Sequence, residues 1–253
     1  MTGFPLFSVT AAFFVGLAAG YIGSLMILKR MALVGDALSH VALPGLALGL
    51  LFNFNPFVGA FVFLFIAAIA TWYLERFTEL SVESIIGVLF VLALAVGILI
   101  TPQPDLLEAL FGDVTKVTFY DAVAAAGVSA MVVLVIRLIH RRVVLSLISE
   151  ELATSMGINV SRVNFVYLFL VTLVVAIGIK VVGTLLVGAL VIVPAAGAKN
   201  ISANLSGYSR YSGVFGVVSA VSGVLLSSYL GLPAGPLVVI AGTVIFLLTL
   251  AAK

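Results

Sequence analysis

The sequence contains no cysteine, which excludes disulfide and thiolate chemistry and says little about compartment. Charge is also scarce. Only 9% of the 253 residues are Asp, Glu, Lys or Arg, against about 25% in an ordinary soluble domain. With 63% hydrophobic residues and a mean hydropathy of +1.35, the chain fits a surrounding that is mostly lipid. No basic tract of the kind that binds nucleic acid occurs, and no polar stretch is long enough for a soluble domain. The phosphate loop Gly-x-x-x-x-Gly-Lys-[Ser/Thr] is missing. So are His-Glu-x-x-His, Gly-x-Ser-x-Gly and any Ser/His/Asp set. Two histidines in all leave no room for an intramembrane metalloprotease. The expectation is a transport subunit, not an enzyme, with no resident cofactor. If ATP drives it, another subunit hydrolyses the ATP.

What is present is a succession of apolar runs. A span takes roughly 17–25 apolar residues, and candidates fall near 8–28, 33–52, 56–74, 84–101, 120–139, 163–179, 182–198, 211–230 and 235–251. The second and seventh are broken by Pro and Gly, and one of them could be re-entrant. The fold expected is an all-α integral membrane protein, a polytopic helical bundle of eight or nine spans forming one permease domain over 1–253. No charged region precedes the first run, which reads as a retained span and not a signal peptide. Lys and Arg set the orientation. With nine spans and the 140–162 loop taken as cytoplasmic, ten of the twelve fall inside and only Lys116 and Lys180 outside. The N-terminus is then outside and the C-terminus cytoplasmic.

The outer loop 102–119 carries Asp105, Glu108 and Asp113, either a solvated face or a guide for a cation or a docking partner. The inner loop 140–162 contains Ser149-Glu150-Glu151-Leu152-Ala153, a Ser followed by acids and helix formers, as at a helix N-cap. Gly157 would end such a helix, so a short surface helix is expected over 149–157. Elsewhere, Lys180 reads as an interfacial lysine, the Gly178/Gly183/Gly188 spacing as close helix packing, Trp72 and Tyr73 as interface anchors, and His140 as a surface residue.

The second span breaks the pattern of charges kept to loops. It reads Gly35-Asp36-Ala37-Leu38-Ser39-His40-Val41-Ala42-Leu43-Pro44-Gly45. An ionisable group inside a span costs about 2.5–3.5 kcal/mol on insertion scales. Asp36 and His40, four apart, share one helix face. Counted from Arg30 at about 1.5 Å per residue, they lie roughly 9 Å and 15 Å deep. Pro44 has no N–H to give and crowds the carbonyl four residues back, which is that of His40. Carboxylate, imidazole and carbonyl together suit a divalent transition metal such as zinc or manganese. Two side chains make an incomplete site, and a two-fold dimer would bring two Asp and two His to its axis. The alternative is structural: the pair holds the kink together or hydrogen-bonds between helices.

Leu33 through Gly45 resembles the signature segment of the permease subunits of zinc and manganese ABC importers. Leu110-Phe111-Gly112-Asp113 resembles that family's outer-loop motif, and Glu150-Glu151-Leu152-Ala153 through Gly157 its cytoplasmic stretch. Lys180 through Ala196 resembles its core motif, and Gly231-Leu232-Pro233-Ala234-Gly235 the turn before its last span. The resemblance covers most of the chain. It implies a type II ABC importer architecture: two permease subunits, a homodimer in the simplest case, two separate ABC ATPase subunits, and an extracytoplasmic metal-binding protein that delivers zinc, manganese or iron. It implies metal contact at Asp36 and His40, and it makes the 149–157 segment, with Glu150, Glu151, Leu152, Ala153 and Gly157, the coupling helix that docks on the ATPase. It also implies a prokaryotic plasma membrane. Rival readings are an ABC permease for a siderophore or haem, an ion-coupled carrier or channel that works without an ATPase, and a membrane scaffold.

Overall fold

An apolar chain in lipid must satisfy its peptide groups within itself, and the helix is the local way to do so. The structure, a computed structural model, describes residues 5–101, 116–184 and 186–252. Asp105, Glu108, Asp113 and the Leu110–Asp113 motif lie outside these. The described helices are α1 (Leu6–Leu28), α2 (Val34–Val41), α3 (Leu43–Leu51), α4 (Pro56–Phe77), α5 (Val82–Ile100), α6 (Phe119–Ile148), α7 (Glu150–Ser155), α8 (Val160–Val182), α9 (Val187–Ile201), α10 (Leu205–Leu230) and α11 (Ala234–Ala251). Counting α2 and α3 as one interrupted helix, eight are long and apolar enough to cross a membrane among the described residues.

Two expectations shift. The seventh candidate, placed at 182–198, is the 15-residue α9 at Val187–Ile201. That is about 22 Å of helix, short of the roughly 30 Å of bilayer hydrocarbon. Gly183, at φ 84, stops α8 and displaces the start of α9. The loop expected from residue 140 is helix as far as Ile148, because no Gly or Pro interrupts the run and Arg141 and Arg142 favour helix.

Contacts at the ends fix the course of the chain. At one end the start of α1 meets the start of α6 through Phe7 and Phe119, ring centroids 5.7 Å apart. There the end of α8 meets both α6 and α4: Lys180 Nζ lies 2.6 Å from Asp121 Oδ1 and 4.8 Å from the centre of the Phe57 ring. At the other end Ser24 and Ser209 share a hydrogen bond of 2.9 Å, and Asn200 donates to Thr249 at 3.2 Å. Lys29, Arg30, Arg76, Arg162, Lys199 and Arg210 all fall at this second, basic end. The short α9 therefore carries the chain from the Lys180 end to the basic end.

The core forms around α1. Gly16 and Gly20 lie against the backbone of Gly216 and Ser212, a small-residue seam that lets α1 and α10 approach closely. The opposite faces of α5, α6 and α11 carry exposed apolar side chains such as Leu99, Leu138 and Leu248, as lipid or a partner helix requires.

Candidate functional site

The signature segment is the most enclosed stretch outside α1. Val34, Gly35, Leu38, Ser39, His40 and Val41 of α2 are buried, and α3 follows after Ala42 with Pro44 in its first turn. Pro44 has no N–H for the His40 carbonyl. The break expected there is found: Ala42 N–H reaches the Ser39 carbonyl at 3.4 Å, and Ser39 Oγ donates to the Asp36 carbonyl at 2.6 Å.

His40 is 8% exposed. Its ring lies 5.3 Å from that of Phe90 on α5, tilted by 53°. Its Nδ1 is enclosed and has no hydrogen-bond partner among the described residues. Such an orphan costs about 1–3 kcal/mol, and an unsatisfied buried polar atom in a folded chain calls for a reason, an absent ion among them. Asp36 does not hold that nitrogen. On the other side, the amino end of α9 abuts Asp36. A Cβ on Gly188 would stand 2.6 Å from both Cα and Cβ of Asp36, and the partial positive charge of a helix amino end favours a carboxylate nearby. No group of three or more His, Cys, Asp or Glu converges among the described residues. One copy of the chain therefore offers at most Asp36 and His40 as side-chain ligands here, and an ion held between them would need further ligands from backbone, water or a second copy.

The cytoplasmic-type motif folds as its residues dictate. Ser149 Oγ accepts the Leu152 N–H at 3.1 Å, capping α7. Gly157 at φ 77 closes it, with Ile158 N–H on the Ala153 carbonyl at 3.0 Å and Gly157 N–H on that of Thr154 at 2.9 Å, a left-handed cap that glycine favours. Ala153 is fully buried and anchors the turn. Glu150, Glu151, Leu152 and Gly157 face outward, and the side chains of Ile148, Leu152 and Met156 are between 49% and 71% exposed. This acidic and apolar surface stands at the basic end, apart from Asp36 and His40.

Three features were not legible in the sequence. Phe90 on His40 and Gly188 on Asp36 are contacts between distant helices. The third is a polar chain at the basic end. Lys29 Nζ donates to Asn164 Oδ1 at 2.7 Å, and Asn164 Nδ2 to Glu75 Oε1 at 3.2 Å. Lys29 also lies 5.0 Å from the centre of the Tyr167 ring. Burial holds its ammonium below the usual lysine range, against the opposing pull of Glu75 and Glu150. The one hint was Asn164, an amide within an apolar run. Other contacts add detail to the sequence reading. Lys180 is ion-paired to Asp121, and His140 is part-buried with an enclosed Nδ1. Gly178 packs against Val187, whereas Gly183 serves the turn. Trp72 Nε1 donates to Ser161 under the Arg76 guanidinium, 3.8 Å from the ring centre.

Comparison with known proteins places this geometry. The family model described as the ABC 3 transport family matches residues 4–253. The manganese transport system membrane protein MntC of Halalkalibacterium halodurans is 34% identical over 246 residues, 95% of this chain and 84% of its own length. The high-affinity zinc uptake system membrane protein ZnuB of Haemophilus influenzae is 32% identical over 256 residues, 99% of this chain and 94% of its own. Among solved structures, PsaBC from Streptococcus pneumoniae in complex with Fab superposes with a TM-score of 0.83 at 32% identity, covering 96% of this chain and 89% of that one.

Proposed function

The chain belongs to the ABC 3 transport family, and from that membership we infer that it is the membrane permease subunit of an importer of divalent manganese or zinc, the ions for which its relatives are named. It is a multi-pass, all-α membrane protein. ATP hydrolysis belongs to a separate subunit of the importer. Ferrous iron also accepts imidazole and carboxylate, but none of the relatives above is named for it.

In this reading the ion passes Asp36 and His40, near the axis of a homodimer that doubles both ligands. The carrying observation is the enclosed Nδ1 of His40, unpartnered among the described residues, one helical turn from a carboxylate. Neutral imidazole and ionised carboxylate are the binding forms, so acid weakens the site. An extracytoplasmic metal-binding protein delivers the ion at the Lys180 end. The ABC ATPase subunit docks on α7 at the basic end, through Glu150, Glu151 and Leu152, with Ala153 and Gly157 fixing the turn. The exposed Ile148, Leu152 and Met156 beside two acids support that assignment. The Lys and Arg weighting makes the basic end cytoplasmic, which puts the N-terminus outside and the C-terminus inside a prokaryotic plasma membrane. Alternating access then couples hydrolysis to the side on which Asp36 and His40 are open.

The test is radiolabelled metal uptake in liposomes holding the chain, its ATPase and its binding protein. In the Asp36→Ala/His40→Ala variant uptake falls at least about 100-fold, beyond what loss of a second-shell partner costs, while the dimer still assembles. Unaltered uptake in that variant returns the pair to a structural role. Uptake without the ATPase makes the chain a carrier.

A further inference from the structure

The basic end contains a polar cavity of about 540 Å³ whose walls come from parts of the chain far apart in sequence. Lys29 and Arg30 of the α1–α2 turn, Glu75 near the end of α4, Asn164 of α8, and Ser149 and Glu150 at the start of α7 all line it. Neither ion passage at α2 nor docking at the outer surface of α7 explains why a lysine is half-buried here.

The turn that carries Lys29 is closed by a series of backbone hydrogen bonds. Lys29 N–H bonds the Leu25 carbonyl at 2.9 Å, Arg30 N–H that of Ile27 at 3.2 Å, and Met31 N–H that of Met26 at 2.9 Å. The last is the six-to-one bond of a left-handed helix cap. Arg30 takes the left-handed position at φ 58, which costs a residue with a Cβ roughly 1–2 kcal/mol. Val34 N–H then bonds the Met31 carbonyl at 3.1 Å, so α2 starts without slack and Asp36 follows in its first turn. The Lys29 ammonium is held from the other side by Asn164, and Asn164 by Glu75, so α8 and α4 form a fixed frame around it. Glu150, the first residue of α7, is the acid across the cavity whose charge acts on Lys29.

We propose that Lys29 is a positioning residue that couples α7 to the metal-bearing α2. Its ammonium registers the position of Glu150 against the Asn164–Glu75 frame, and the hydrogen-bonded turn at Arg30 transmits that position to Asp36. This rests on the reading of α7 as the segment that engages the ATPase. A network that merely ties α1, α4 and α8 together would set stability and leave coupling alone.

The experiment measures metal ions transported per ATP hydrolysed by the complete importer in liposomes, for the wild type, Lys29→Met, Lys29→Arg and Glu150→Gln, with Leu152→Ala alongside. The ratio falls about tenfold in Lys29→Met, the scale of one charge-assisted hydrogen bond. It falls in the same direction in Glu150→Gln, and Lys29→Arg restores it to within about twofold of wild type. Glu150 also belongs to the proposed docking surface, so Asn164→Leu, which removes the amide that holds the Lys29 ammonium and lies outside α7, keeps the test decisive if Lys29→Met assembles poorly: its ratio falls as in Lys29→Met, and a wild-type ratio overturns the proposal. A wild-type ratio in either Lys29→Met or Glu150→Gln overturns the proposal, as does an Arg variant as uncoupled as the Met variant. If Leu152→Ala uncouples while Lys29→Met does not, this link fails and the docking role of α7 stands. If Leu152→Ala leaves the ratio unchanged as well, the reading of α7 itself fails.

Discussion

At each end of the bundle one buried or half-buried cluster of charged side chains is paired, whereas the imidazole in the interior has no partner among the described residues. At one end the Asp121 carboxylate takes the Lys180 ammonium at 2.6 Å and both the N–H and the hydroxyl of Thr118 at 2.8 and 2.6 Å. At the other, Lys29, Asn164 and Glu75 are joined in series. Between them His40 keeps an enclosed nitrogen without a partner among the described residues. The end groups could have reached water at modest cost and nevertheless found partners. The interior group, for which a missing partner is most costly, was left open. His140 also has an enclosed Nδ1, but the residues one turn away on its helix are Ile136, Arg137, Val143 and Val144, none of them an acid. Only around His40 does the open nitrogen come with a carboxylate on the same face.

The largest effect that would sharpen this contrast comes from Gly188→Val. Its side chain has no space against the Asp36 backbone, and overpacking of about 1–3 kcal/mol should lower metal uptake about 10- to 100-fold in importers that still assemble. Uptake at the wild-type rate would mean that α9 does not set the position of Asp36. Next in size is Phe90→Leu, which removes the ring against His40. A contact worth about 0.5–1.5 kcal/mol corresponds to a rise of about 3- to 10-fold in the KM for metal, read from the concentration dependence of uptake, with metal-independent ATPase unchanged. The smallest is Lys180→Met at the paired end. Both partners are 25% exposed, so solvent screening limits the pair to about 1 kcal/mol at most. Thermal unfolding of the purified permease should drop by about 2–4 °C, with uptake within about twofold of wild type. If uptake instead collapsed as far as in Gly188→Val, the distinction between ends and interior would break.

Much of the fold could be read in advance because hydropathy reports depth. The apolar runs mark the spans, Ser149 and Gly157 mark the limits of α7, and the Asp36–His40 spacing marks one face of α2. Pro44 foretold the break at Ala42. What stayed hidden depends on which helix stands beside which. Nothing in the α5 run distinguishes Phe90 from the apolar residues around it, and it meets His40 only because α5 packs beside α2. Gly188 looked like one more small residue in a packing motif. Lys29 and Glu75 lie where apolar runs end, and their bridge, Asn164, lies 89 residues from Glu75 in the chain. The start of α9 was misplaced because hydropathy averaged over a window does not register that the backbone leaves the helix at Gly183.

The bare contact between Gly188 and Asp36 also bears on how this scaffold can diversify. On that side Asp36 is located by main chain against main chain, and a main-chain surface offers selection no alphabet of shapes. Exchanging rotamers or residue types cannot enlarge or shrink the pocket from the α9 side without moving the whole helix. The α5 side, where Phe90 meets His40 by side chain alone, offers the full range of sizes and polarities. Divergence between manganese and zinc carriers built on this frame should therefore accumulate along α5, with the junction at Gly188 held constant as the datum from which the pocket is measured.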